Sequence, residues 1–325
     1  MDIILPVDVT PSLLVSSNIA DSTEVEWSPI AAYEVGDKVK VSYEEDGVTA
    51  IAPVFEFTCM TAHDGSADPS EAQYPPDDDG TYWLNTGASN RWRWGDSYIN
   101  TQTVADGTEA TDAGKIVMTF NANKCTAIAL FGVVANQIAF DRYDSGGELI
   151  DTATTRLQNA ATYGDAWSYC FEDFVYEHDV IQTFGIRHVQ TVKITIEHTP
   201  SAGLYPKIGY AVIGRNVYVG RTKYDCETGI SDYSKKITDE TFGNTYLRQG
   251  NYSKWMELDI YVPTNDVDRV QQALTSIRGK ATVFNGNNSG TSRQVLNILG
   301  FWADFSNTMK GPRESKYQLE IKGLI

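Results

Sequence analysis

The 325-residue chain has no apolar run approaching the ~18 residues a membrane-spanning helix requires, so bilayer insertion through a helix is not expected. It is short of positive charge, with 26 Lys and Arg against 43 Asp and Glu and a formal net charge of −17. Nucleic acid and anionic lipid both call for a basic face, so neither is expected as the main partner. Cysteine is scarce: Cys59, Cys125, Cys170 and Cys226 lie far apart with no CxxC pair, which removes the usual zinc spacings. They are expected to be reduced and buried, with a disulfide left open. The histidines at 63, 178, 188 and 198 fall in no HExxH, and GxSxG, P-loop and GxGxxG patterns are missing too. The start, MDIILPVDVTPSLL, lacks a basic n-region and carries Asp2 and Asp8, so it does not read as a signal peptide. A protein of this kind acting outside a cell would leave it by a route such as lysis.

What is abundant is aromatic surface and alternation. The chain holds 18 Tyr and 7 Trp, and tyrosine-rich chains suit sheets and binding faces. Residues 1–26 form an N-terminal arm with two short apolar runs, around Ile3 to Leu5 and Leu13 to Val15. They read either as short strands or as a segment packing on a neighbouring subunit. Residues 27–88 form a compact unit. In WSPIAAYEVGDKVKVSYEEDG a Gly36-Asp37 turn leads into alternating Val39 and Val41, VFEFTCM alternates again through Phe55 and Phe57, and the Pro/Asp-rich YPPDDDGTYWL is a solvated loop ending at Trp83.

Residues 89–220 carry many short, regularly spaced strands, the pattern of a sandwich or jelly roll. SNRWRWGD predicts a strand with Trp92 and Trp94 on one side. Ile138 and Phe140 alternate, DSGG makes a hairpin turn, and Leu149 resumes the partner strand. Residues 221–325 read as Tyr- and Ser-rich strands around one helix. Val267, Val270, Ala273, Leu274 and Ile277 give its apolar stripe, Thr264 or Asn265 its cap, and Gly279 its end. The last strand, running into LEIKGLI, is expected inside its own sheet or added to a neighbour's. The fold class is therefore mainly β and multi-domain: a small β module, a β-sandwich, and a C-terminal α+β domain with one helix packed on a sheet.

Three resemblances go with these units. Trp27, Tyr33, Gly36-Asp37, Val39, Phe55 and Trp83 resemble the small chitin-binding modules of bacterial chitinases. The runs at 116–120, AIALFGVVANQIAF and ITIEHTP resemble galactose-binding-like jelly rolls. The C-terminal stretch resembles a domain of tailed-bacteriophage tail-tip and baseplate structural proteins. That likeness is carried by GISDYSKK from Gly229, by Phe242-Gly243-Asn244, by Tyr252-Ser253-Lys254, by Val262-Pro263 before the helix, and by Gly300-Phe301, Asp304-Phe305 and the LEIKGL end.

The phage resemblance implies a virion protein made in the host cytoplasm, present in several copies, whose partners are itself and other tail or baseplate proteins. The sugar-module resemblances imply contact with host cell-surface polysaccharide, with Tyr82, Trp83, Trp92 and Trp94 as the glycan-binding residues. Those tryptophans can equally fill a core. Some galactose-binding-like relatives hold calcium, for which Asp141, Asp144 and Glu148 are the candidate ligands here; the same acids also suit a solvated turn. No other cofactor is expected. An enzyme is not expected, because the one acidic cluster near Trp167 (Asp165, Glu172, Asp173 and Asp179) reads better as a solvated loop than as a glycosidase pair. The rival readings are a carbohydrate-binding adhesin and, behind it, a polysaccharide depolymerase.

Overall fold

The computed structural model describes residues 1–65, 74–105, 114–157, 167, 177–198, 205–238, 244–287, 294–309 and 314–324. The chain is mainly β, with 53% strand and 9% helix. A ten-stranded sheet dominates. Its order begins Val180–Thr183, Ala127–Phe131, Tyr210–Tyr218 and Asp2–Pro6. It continues through Thr282–Asn285, Asn297–Met309, Glu314–Gly323 and Tyr252–Pro263, which carries both Arg221–Thr222 and Glu227–Asp232 on its other edge. The first half of this order comes from the region expected to be a sandwich and the second half from the C-terminal region. The N-terminal strand Asp2–Pro6 lies between them, antiparallel to both neighbours. The opening residues thus form strands that pair within their own chain.

A five-stranded sheet, ordered Leu149–Arg156, Gln137–Tyr143, Thr191–Glu197, Lys115–Asn121 and Leu14–Ser17, packs against one end of the large sheet. Alternation explains it: in Gln137–Tyr143 every second residue is buried, with Ile138, Phe140 and Arg142 all facing in. Ala127–Phe131 breaks that alternation and is buried at all five positions. Ile128 and Leu130 join the core shared with the five-stranded sheet, while Ala127, Ala129 and Phe131 face a second core on the opposite side. A strand covered on both faces reads as a continuous apolar run.

The turn expected at DSGG forms, with Gly147 at φ +81° and the Asp144 carboxylate accepting from the backbone N–H of Gly146 and Glu148. The helix forms at Val267–Ser276 and buries Val267, Val270, Ala273 and Leu274. Each large side chain among these contributes about 1.5–3 kcal/mol by leaving water. The expected cap differs. Thr264–Asp266 is a 3-10 turn, Asp266 occupies the cap position, and no side chain caps the helix. Pro263 ends the preceding strand directly into that turn, so Thr264 and Asn265 already have turn geometry. The last strand, Glu314–Gly323, pairs on both edges, with Tyr252–Pro263 and with Asn297–Met309. It therefore offers no free edge to a neighbour.

The small module is a four-stranded sheet of Val25–Glu26, Lys38–Tyr43, Ala50–Cys59 and Trp83–Ala88. Val39, Val41 and Phe57 line its own core with Trp27, Tyr33 and Trp83. Val54 and Ala88, on the other face, join the main core beneath it.

One buried charge anchors the five-stranded sheet. Arg142 is fully buried, donates from Nε to Asp151 Oδ1 at 2.7 Å and from Nη2 to Asp151 Oδ2, and also donates to the carbonyls of Cys125 and Gly185. Its guanidinium lies 4.3 Å from the centre of the Phe184 ring. The bond from Arg142 holds the Asp151 carboxyl below its ordinary pKa. A lowered folded-state pKa gives stability that is present above the ordinary carboxylate value and is lost as pH falls through the folded one. Replacement Asp151→Ala is expected to cost about 1–3 kcal/mol near neutral pH, a value reduced because the carboxylate is partly solvated. The loss should shrink as pH falls below the ordinary carboxylate value, where the carboxyl of the unfolded chain takes up its proton first, and the pH-dependent part should vanish only below the lowered folded-state value. Urea denaturation of wild type and variant across that range is the check; a pH-independent difference would contradict the assignment.

Candidate functional site

The residues expected to stack on sugars are mostly inside. Trp83 is 2% exposed and meets the Tyr33 ring edge-on at 5.0 Å and the His63 ring at 5.3 Å. Tyr82 is half-buried and packs edge-on against His63. Trp92 and Trp94 do not lie on a strand: they flank Arg93 where the chain enters a 3-10 turn, and their rings stack at 5.9 Å. Trp94 is 1% exposed and meets Phe120 edge-on, deep in the main core. A buried ring has no free face for a sugar, so the glycan-binding expectation for Trp83, Trp92 and Trp94 is corrected: these rings build cores. The small module has few residues to bury, and its largest aromatics are drawn inward for that reason.

The calcium expectation is corrected as well. Asp144 is engaged in its own turn, and Asp141 accepts from the Thr152 hydroxyl across the hairpin at 2.6 Å. Among the described residues no three His, Cys, Asp or Glu side chains come together as a metal would need.

Of the acidic cluster, Asp165, Glu172 and Asp173 lie outside the described residues. Trp167 is 69% exposed, and Asp179 forms an ion pair with Lys254 at 2.7 Å. Cys59, Cys125 and Cys226 are free thiols, the first two buried; Cys170 lies outside the described residues. Burial pushes the Cys125 thiol up to about 11. Cys59 Sγ stands 4.0 Å from His63 Nδ1, a pairing the sequence did not suggest. The thiol also donates to the Thr61 carbonyl, and burial raises its pKa, so this contact is packing and not an activated nucleophile.

What does face solvent is a hairpin. Glu227–Asp232 pairs along the start of Tyr252–Pro263, and the two strands continue outward as Lys235–Thr238 against Thr245–Arg248. Two residues separate the paired stretches on one side and three on the other, which is a bulge at the base. The base is tied. Asp232 accepts from the Ser234 N–H and hydroxyl, and Ser234 Oγ accepts from the Gly250 N–H. A Cβ on Gly250 would lie 2.4 Å from the Tyr233 carbonyl oxygen, so only glycine permits this approach.

Beyond the base both faces of the hairpin meet solvent. Tyr246 is 59% and Leu247 77% exposed. Lys235 stands directly opposite Arg248. Among the described residues neither has an ion pair. Like charges opposite one another destabilise a strand pair, and an isolated two-stranded hairpin is marginal in water.

At the hairpin's inner end a cavity of about 570 Å³ opens on the concave side of the large sheet. The Asp179–Lys254 pair closes one side of it, linking the edge strand Val180–Thr183 to the strand Tyr252–Pro263 near the far end of the sheet. Side-chain amides of Gln102, Gln249, Asn251 and Asn297 line it above an apolar floor of Phe131 and Leu299. Asp179 is the sole carboxylate among the described residues that line it.

Compared with known protein families and with curated proteins, the chain matches neither. The functional reading therefore stands on these surfaces. Because Trp83 and Trp94 are core side chains, Trp83→Ala and Trp94→Ala are each expected to lower stability by about 3–5 kcal/mol. A chemical-denaturation midpoint within error of wild type for either variant would place that ring outside the core.

Proposed function

We propose that this chain is a non-enzymatic structural protein of a bacteriophage tail tip or baseplate, assembling in several copies with itself and with neighbouring tail proteins. The observation that carries the assembly reading is the projecting hairpin. A two-stranded ribbon with exposed Tyr246 and Leu247 and an opposed Lys235–Arg248 pair is a poor structure in water and a good one against a complementary surface. The likeness of residues 229–325 to tail-protein domains supplies the setting.

The charge distribution favours contact between unlike surfaces. Residues 27–88 hold twelve acidic side chains and two basic ones, whereas residues 221–325 hold fourteen basic and twelve acidic. A chain divided in this way suits head-to-tail contact, and a head-to-tail contact whose rotation closes forms a ring. The tied base of the hairpin adds to the case, because a preordered element loses less freedom when it docks.

The purified chain is expected to associate with increasing concentration, and Leu247→Glu with Tyr246→Glu is expected to leave it monomeric with unchanged thermal stability. Light scattering with a melting curve reads both properties. A wild type that stays monomeric at every concentration and stands as a lone copy in a map of the native particle would refute the reading.

A further inference from the structure

The rings that meet solvent together are tyrosines that the sequence reading passed over. Tyr218, Tyr224 and Tyr261 line one groove of about 370 Å³ with Arg221, Lys223 and Glu314. Tyr224 is 91% exposed, Tyr218 53% and Tyr261 36%. The groove is built by a tight return of the chain. Tyr210–Tyr218 ends, Gly220 turns, and Arg221–Thr222 lies antiparallel on Tyr252–Pro263 with Arg221 opposite Tyr261. A Cβ at Gly220 would lie 2.6 Å from the Tyr261 carbonyl oxygen, so glycine is what permits the contact.

The walls are fixed before any ligand arrives. The Val219 N–H donates to the Met1 carbonyl, Arg269 donates to the Tyr218 carbonyl, and the Lys223 N–H donates to the Asp259 carbonyl. The Lys223 ammonium is already taken by Asp225 at 3.1 Å. Arg221, by contrast, has no ion pair among the described residues, in a chain whose net charge is −17.

We propose that this groove binds an oligosaccharide carrying a single acidic sugar. Tyrosine offers an apolar face to the C–H side of a sugar ring and a hydroxyl to its polar edge, at a small cost in side-chain freedom. The Arg221 guanidinium matches a carboxylate with two parallel N–H donors. Glu314 pairs in register with Pro263, two residues past Tyr261. Its carboxylate accepts from sugar hydroxyls there and repels a second acidic group. The ligand is thus sparsely charged and not a polyanion.

The groove sits at the opposite end of the strand Tyr252–Pro263 from the hairpin, roughly 35 Å away at ~3.3 Å per residue. The inference is therefore independent of the assembly reading.

The test is a printed array of neutral, singly acidic and polysulfated oligosaccharides probed with the full chain. Xylotriose and the same chain bearing one methylglucuronic acid, followed by NMR titration, give the controlled pair. Singly acidic glycans are expected to bind. Tyr224→Ala and Arg221→Gln are each expected to weaken that binding by at least about tenfold while leaving the melting curve unchanged, since both side chains face solvent. Equal binding of the neutral chain, preference for the polysulfated ones, or binding that survives both substitutions would overturn the proposal. So would an array with no acidic glycan bound; Tyr224-dependent self-association in that case would make the groove a protein contact.

Discussion

The large sheet depends at its middle on one short strand. Asp2–Pro6 pairs with Tyr210–Tyr218 on one side and Thr282–Asn285 on the other, and no other strand joins the two halves of that sheet among the described residues. Its isoleucines face opposite ways. Ile3 enters the core beneath the helix, and Ile4 enters the core lined by Ala127, Ala129 and Val212. A Cβ on Gly214 would lie 2.0 Å from the Leu5 carbonyl oxygen, so glycine is needed where the strand is gripped. Pairings across two hundred residues carry a loop-closure cost that grows only slowly with length, but they must be repaid by contacts on both faces. The alternation of Ile3 and Ile4 supplies those contacts.

From that junction follows the placing of the surfaces. Continuity across Asp2–Pro6 lets the sheet curl until Asp179, beside one edge strand, reaches Lys254 near the other end. The strand Tyr252–Pro263 then spans the C-terminal part, with the hairpin at its first residue and the tyrosine groove at its last. Assembly and ligand contact, as proposed, use different ends of one rigid element. Neither surface hinders the other, and each can be altered alone.

Buried polar groups show how the sandwich end is specified. Arg142 sits on an inward-facing position of an alternating strand, where a residue of its kind is rarely tolerated without a partner. Asp151, the Cys125 and Gly185 carbonyls and the Phe184 ring together satisfy it. One inward arginine thereby ties the hairpin of Gln137–Tyr143 and Leu149–Arg156 to segments on either side of it. The Cys59–His63 contact in the small module is of another kind, two side chains brought together by the demands of a tiny core.

Much of the secondary structure was legible in order. The 3-4 spacing from Val267 to Ile277 fixes a helix face, the alternation in Lys38–Tyr43 and Gln137–Tyr143 fixes strands, and the DSGG segment fixes a turn, because each is a local periodicity or a local backbone requirement. The net negative charge was legible as well. The candidate sites were not. Alternation says which side chains share a face but is silent on which face is covered, and Trp83, Trp94, Tyr218, Tyr224 and Tyr261 are all aromatic residues in or beside strands or turns. The sequence by itself determined most of the elements, the net negative charge and the mainly β class. Tertiary structure alone decided that the tryptophans close the cores while three tyrosines meet at the surface, because that depends on which separate strands and turns of the chain are brought together.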